Sequence, residues 1–231
     1  MKNILIIKCG ETYPEIKEKL GDFEDWIIAQ SNLPKSVFKI YNLPEGDQLR
    51  HPSEFIAAII TGSHSHVTQR QVWIKQLKDW IVTARYSNIP VLGICFGHQI
   101  IAEALGGSVQ LNEEGTISGI SNISLTKEGQ NDPLFKNTAL TFESYSSHSY
   151  EVASLPLGAS LLATSNDKMV ESFKVDKIYG VQFHPEFNAQ IMDEYIKHSE
   201  KSTSSKTRVK NKYEIINELI VPNFLDISLK F

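Results

Sequence analysis

The chemistry in this sequence is concentrated in two short stretches. The first is Gly93-Ile94-Cys95-Phe96-Gly97-His98-Gln99, which directly follows the apolar run Ile89-Pro90-Val91-Leu92. A G-x-nucleophile-x-G string at a strand-to-helix junction forms a sharp elbow, and here the nucleophile position is a cysteine. Small residues flank it because the turn brings neighbouring backbone too close for side chains. The elbow lifts the sulfur off the strand end to a helix N-terminus, where the backbone dipole favours thiolate. The same turn aims the Phe96 N–H at an oxyanion formed beside the sulfur.

The second stretch is Val181-Gln182-Phe183-His184-Pro185-Glu186-Phe187. A thiolate nucleophile needs a base that takes and returns protons, and the base needs an orienting partner. In extended backbone, His184 and Glu186 point to one face, so the carboxylate can hold one imidazole nitrogen while the other faces sulfur. Pro185 fixes the backbone between them. Each stretch ends a predicted strand, and the C-terminal edge of strands is where open α/β sheets bind ligands.

The elements that must position these groups are legible as short apolar runs alternating with helical periodicities. Ile4–Ile7, Val37–Tyr41, Phe55–Thr61 and Ile89–Ile94 read as strands. Ile16, Leu20, Phe23 and Ile27 read as one helix that tolerates Gly21, and Trp73, Leu77, Trp80 and Ala84 as the stripe of another. His98–Leu105 reads as helical, with Gly106-Gly107 as its stop. Ile117–Leu125, Ala139–Phe142, Ser160–Ala163 and Ile178–Phe183 predict further strands, and Phe187, Ile191 and Tyr195 open another helix. The polar, basic stretch Ser199–Lys210 reads as a surface loop. After it Tyr213, Ile216 and Leu219/Ile220 allow a last helix, which Pro222 ends or kinks.

The 231 residues favour one domain, with 41% hydrophobic and 22% charged residues, an ordinary globular composition. A net charge of −4 offers no basic field for nucleic acid or an anionic membrane. Two cysteines, Cys9 and Cys95, cannot build a disulfide framework, and no Cys/His cluster has zinc spacing, so a reducing cytoplasm is the expected setting. No apolar segment reaches membrane-span length, and Ile4–Ile7 is too short for a signal-peptide core. His64-Ser65-His66 lacks acidic or thiol company and reads as loop rather than metal site. Cys9 reads as a buried structural thiol, His98 as a packing or rim residue, and Trp73 and Trp80 as packing.

Taken together, Ile89–Gly107 and Tyr179–Phe187 resemble the class I, triad-type glutamine amidotransferase domain, and in particular stand-alone proteins similar to the glutaminase half of GMP synthetase. Ile60–Val67, the Asp132-Pro133-Leu134-Phe135 turn and the Pro222-Asn223-Phe224-Leu225 tail support the resemblance. It implies a single-domain α/β fold: a mixed, largely parallel, flavodoxin-like sheet flanked by helices, with a strand-to-helix nucleophile elbow. It also implies Cys95 as nucleophile, His184 as general base and acid, Glu186 as its orienting carboxylate, and the amides of Gly62 and Phe96 as oxyanion donors. Gln99, one turn beyond the nucleophile, is implied to contact substrate, as is Ser147-His148-Ser149-Tyr150. At that last segment the sequence departs from many relatives, which carry asparagine and glycine where Ser147 and Ser149 stand.

The implied reaction is hydrolysis of the glutamine side-chain amide through a γ-glutamyl thioester, releasing ammonia without metal or other cofactor. The serine departures give an alternative, a γ-glutamyl peptidase acting on glutathione-like molecules. A non-catalytic module on the same fold is the third reading; it is expected to lack one of the three reactive groups, and all three are present. With no SGGxDS-type nucleotide loop in the chain, any synthase that consumes the ammonia is expected to be a separate polypeptide.

Overall fold

The computed structural model describes residues 2–113, 115–166, 168–200, 206–208 and 218–229, the side chains of 199, 200 and 206–208 excepted. The sheet is built around β1 (Ile4–Lys8), β2 (Phe38–Asn42), β3 (Ala57–Ile60) and β4 (Val91–Ile94). These pair in parallel in the order β4-β3-β1-β2, and β11 (Ile178–Val181) adds in parallel beside β4. Between them in sequence lie β5 (Ser108–Leu111), β6 (Ile117–Leu125), β7 (Thr141–His148), β8 (Tyr150–Ser154), β9 (Ser160–Ser165) and β10 (Val170–Val175). Beyond β11 the sheet turns antiparallel through β10, β9, β6 and β7, while β5 and β8 form a separate antiparallel pair. Among the described residues the main sheet is thus mixed, with its parallel half made of the runs the sequence marks most strongly.

Those runs are apolar throughout because helices cover both faces. Ile4, Ile6, Ala57, Ile59, Leu92 and Ile94 face a core shared with Ile27 and with Phe224 and Leu225. Leu5, Ile7, Ala58, Ile60 and Val91 face the opposite core, against Ile74, Leu77, Trp80 and Ile81 of α3 (Val72–Tyr86) and Ile100 and Ile101 of α4 (Phe96–Ala104). Trp80 is buried there and donates its indole N–H to the Arg50 carbonyl (2.8 Å), while Trp73 packs beside Phe96. Both tryptophans are packing residues, and Cys9 is fully buried at the end of β1.

The first helix of the sequence reading is two helices, α1 (Pro14–Leu20) and α2 (Phe23–Gln30). Gly21 does not ride inside a helix. It sits at φ +83° and ends α1, and Asp22 then starts α2 with a capping box shared with Asp25. Asp22 also accepts from the Thr12 N–H (2.9 Å) and pairs with the buried Lys8 ammonium (2.7 Å), which is bonded to Glu24 as well. The short break therefore fixes Phe23 beside the strand ends.

A second difference concerns the C-terminal part. Helix α5 (Lys127–Gln130) precedes the Asp132–Phe135 turn, and α6 (Ala189–Glu200) follows Phe187. Residues 206–208, inside the stretch read as a surface loop, form β12 (Lys206–Arg208), paired in parallel with β6. Pro222 neither ends nor kinks a helix; α7 (Ile220–Leu229) begins two residues before it, so Pro222 lies in the first turn, where no intrahelical acceptor is needed. Residues 213–217 lie outside the described set. Asn223 of α7 donates to the Leu134 and Lys136 carbonyls (3.0 and 2.9 Å), tying the tail to the Asp132–Phe135 turn.

Candidate active site

The two reactive stretches meet because β4 and β11 are neighbours in register, Ile94 opposite Val181. Cys95 leaves β4 at φ +52°, ψ −100°, a left-handed conformation unusual for a residue with a Cβ, and stands at the N-cap of α4. Its N–H donates to the Val181 carbonyl (2.8 Å), clamping the elbow to the strand that carries His184. The flanking glycines are required by space. A Cβ on Gly93 falls 2.3 Å from the Gly97 carbonyl oxygen, and one on Gly97 falls 2.5 Å from that of Ile60.

His184 is buried, and its backbone N–H is held by the Tyr145 carbonyl (2.7 Å). Its Nδ1 lies 2.8 Å from Glu186 Oε1, and the Cys95 sulfur is near enough to act on the ring electrostatically. Sulfur, imidazole and carboxylate are thus neighbours. Phe187 stacks on the imidazole at 4.1 Å between ring centres, and Phe23 lies near-parallel beside both rings. Gly62 completes the enclosure: a Cβ there stands 3.0 Å from His184 Cε1 and 3.2 Å from Phe23.

Burial alone disfavours the charged imidazolium, but the Glu186 carboxylate and the Cys95 sulfur outweigh it and push the His184 pKa up to about 10. A base whose folded pKa lies above its ordinary 6.5 contributes stability that is complete below pH 6.5 and is lost as pH rises toward 10. We expect urea unfolding free energy to fall across that window in the wild type and to fall less steeply in His184→Gln. Equal slopes in the two proteins would remove the assignment.

A cleft of about 270 Å³ opens over the sulfur, lined by Cys95, Phe96, Gln99, Thr116 and the segment Ser147–Tyr150 on one side and by Tyr13 and Ser63–His66 on the other. Ser147 lies within β7, and Ser149 is the single residue between β7 and β8, so neither stands on a free loop. The Ser147 carbonyl lies 3.6 Å from Cys95 Sγ, and the Ser149 hydroxyl bonds that of Thr116 (2.8 Å). Gln99 turns its amide nitrogen to the Tyr150 carbonyl (2.8 Å) and Gln182 Oε1 (3.1 Å), which engages both of its N–H groups. Any ligand contact from Gln99 therefore falls to its oxygen.

His98 lies outside the cleft. It is fully buried against Phe173 and Gly180, and burial holds its pKa down at about 3, so it is neutral. Among the described residues no group of three or more His, Cys, Asp or Glu side chains could hold a metal ion, and no helix is long and apolar enough to cross a membrane. The sequence reading does not single out Tyr13, Phe23 or Thr116 as site residues. For Tyr13 a signal exists: it follows the C-terminal end of β1, the sheet edge to which the reactive stretches already point.

A largely parallel mixed sheet flanked by helices, with a cysteine elbow beside a His–carboxylate strand end, is an α/β architecture of the amidotransferase type. The pattern of the Glutamine amidotransferase class-I family matches residues 36–200, and the chain belongs to that family. It is 43% identical over 115 residues to a glutamine-hydrolyzing GMP synthase subunit from Methanocaldococcus jannaschii. That match spans 49% of this chain and 59% of the archaeal protein, less than two thirds of either. The chain is 34% identical over 165 residues to Gamma-glutamyl peptidase 4 of Arabidopsis thaliana, covering 66% of each. Among solved structures, a glutamine amidotransferase from Thermotoga maritima shares the fold with a TM-score of 0.78 at 20% identity, across the whole of both chains.

Proposed function

We propose that this protein is a cysteine-dependent hydrolase of γ-glutamyl amides, with glutamine as the first substrate to consider and ammonia as the product. The observation that carries the reading is Cys95 opening onto the cleft with His184 buried behind it and held by Glu186, Nδ1–Oε1 at 2.8 Å. In this reading the Cys95 thiolate attacks the γ-carbonyl, and the amides of Gly62 and Phe96 hold the oxyanion. His184 passes its proton to the amide nitrogen as the C–N bond breaks, and ammonia departs. The same imidazole then takes a proton from water, which attacks the thioester; glutamate leaves and the thiol is regenerated. Gln99, Ser147, Ser149 and Tyr150 hold the glutamyl part. All of this is completed within one domain in the cytoplasm, without metal or cofactor.

A second reading keeps the chemistry and enlarges the leaving group, as in a γ-glutamyl peptidase. The likeness to the Arabidopsis peptidase and the serines at 147 and 149 favour it. If glutamine is the substrate, a separate synthase that consumes ammonia is the natural partner, in keeping with the likeness to the archaeal GMP synthase protein. The deciding experiment quantifies glutamate together with ammonia or released amine across glutamine and γ-glutamyl dipeptides, and compares kcat/KM. A large preference for glutamine removes the peptidase reading. Turnover of none of them removes both.

A further inference from the structure

The cleft has a wall that the triad does not use. Tyr13 contacts two imidazoles, His198 stacked on it at 4.1 Å and His64 tilted against it at 4.4 Å between ring centres, and Tyr195 meets it edge-on at 5.4 Å. Tyr195 is itself anchored by a hydroxyl bond to Thr12 (2.8 Å), so the wall is braced from behind. Of these rings Tyr13 and His64 line the cleft. His64 also packs edge-on to Phe23, the ring beside His184, so the wall begins next to the imidazole that returns the proton to a departing amine. Loss of hydration and the nearby His184 charge lower the His64 pKa, which keeps this ring neutral.

The charge inventory points the same way. Among the described residues no Asp, Glu, Lys or Arg lines the cleft, whose walls are hydroxyls, imidazoles, phenols and an amide. A leaving group bearing a carboxylate, as in a glutathione-like peptide, finds no cation there. A flat uncharged group finds ring surface, for which stacked and edge-to-face contacts are favourable.

We infer that Tyr13 and His64 form a leaving-group subsite selecting γ-glutamyl amides whose amine carries a flat, uncharged aromatic substituent. This rests on the γ-glutamyl hydrolysis proposed above and names its substrate class. The reaction balances as before: amide and water give glutamate and the free arylmethylamine, His184 supplying the proton to nitrogen.

The test compares γ-glutamyl-benzylamide with γ-glutamyl-2-methoxyethylamide, whose amines are of similar basicity, so that leaving-group reactivity does not decide the result. We expect kcat/KM to favour the benzylamide about tenfold in the wild type. The ratio should collapse toward unity in His64→Ala and in Tyr13→Ala, and be retained in His64→Phe, which keeps a ring at that position. Binding of the two amides to Cys95→Ala, measured by calorimetry, should show the same preference without turnover. Equal kcat/KM for the two amides, or an undiminished ratio in both alanine variants, overturns the inference while leaving γ-glutamyl hydrolysis standing. Absence of turnover on every γ-glutamyl compound, glutamine included, overturns the underlying reading as well.

Discussion

Cys95→Ala is expected to abolish hydrolysis of every γ-glutamyl substrate, with a loss on the order of 10⁴-fold or more, because the covalent route disappears and only binding and oxyanion stabilisation remain. The substitution removes a sulfur that acts on His184 electrostatically and lies 3.6 Å from the Ser147 carbonyl, but leaves the elbow backbone clamped by Val181 and by α4. Its melting temperature should therefore stay close to that of the wild type, which separates chemical from structural failure. Alanine retains the Cβ at φ +52°, so the local strain is carried over unchanged. Intact-mass labelling with a glutamine-like affinity reagent gives a second readout: one adduct in the wild type and none in the variant. An unaltered rate in Cys95→Ala would end the nucleophile assignment.

Gly93→Ala is expected to be a severely damaging substitution. Its added methyl stands 2.3 Å from the Gly97 carbonyl oxygen and 2.4 Å from the carbonyl carbon. Both are backbone atoms of α4, so no side-chain rotation relieves the overlap. Either β4 moves away from α4 or the elbow opens, and both disturb the packing of Ile60, Ile100 and Ile101. A loss of about 4 kcal/mol or more, or failure to fold, follows from overpacking at a rigid contact. Gly46→Ala is the useful contrast. Its surroundings are open within 4 Å, and only its φ of +95° resists a side chain, so about 1–2 kcal/mol is expected. Chemical denaturation midpoints for the two variants measure the difference, and comparable losses would contradict the close approach of β4 and α4.

Much of this arrangement can be read from residues because the parallel half of the sheet is chemically simple. Ile4–Lys8, Ala57–Ile60 and Val91–Ile94 are buried along their length, and a continuous apolar run between helical stripes has few other interpretations. The antiparallel half gives weaker signals. Strand β10 carries Glu171 and Ser172 into the interior, and β5 is mostly exposed, so neither shows the alternation that marks a strand. Their pairing partners define them, and those are far away in sequence. Gly21 misleads for a related reason: as a weak link inside one apolar stripe, it hides a cap that only Asp22, Asp25 and Thr12 together make visible. At the site, the reactive stretches are short motifs with a mechanism attached, whereas the enclosing residues arrive from separate elements: Tyr13 is marked only by its place after β1, and Phe23 and Thr116 carry no local pattern.

The pairing of Ile94 with Val181 places Cys95 and His184 just beyond the ends of adjacent strands that are distant along the chain. During synthesis Cys95 emerges from the ribosome long before His184. Under the proposed reaction a nascent chain is therefore chemically idle until the His184 segment has emerged and settled beside β4, and activity can report on the completion of that pairing.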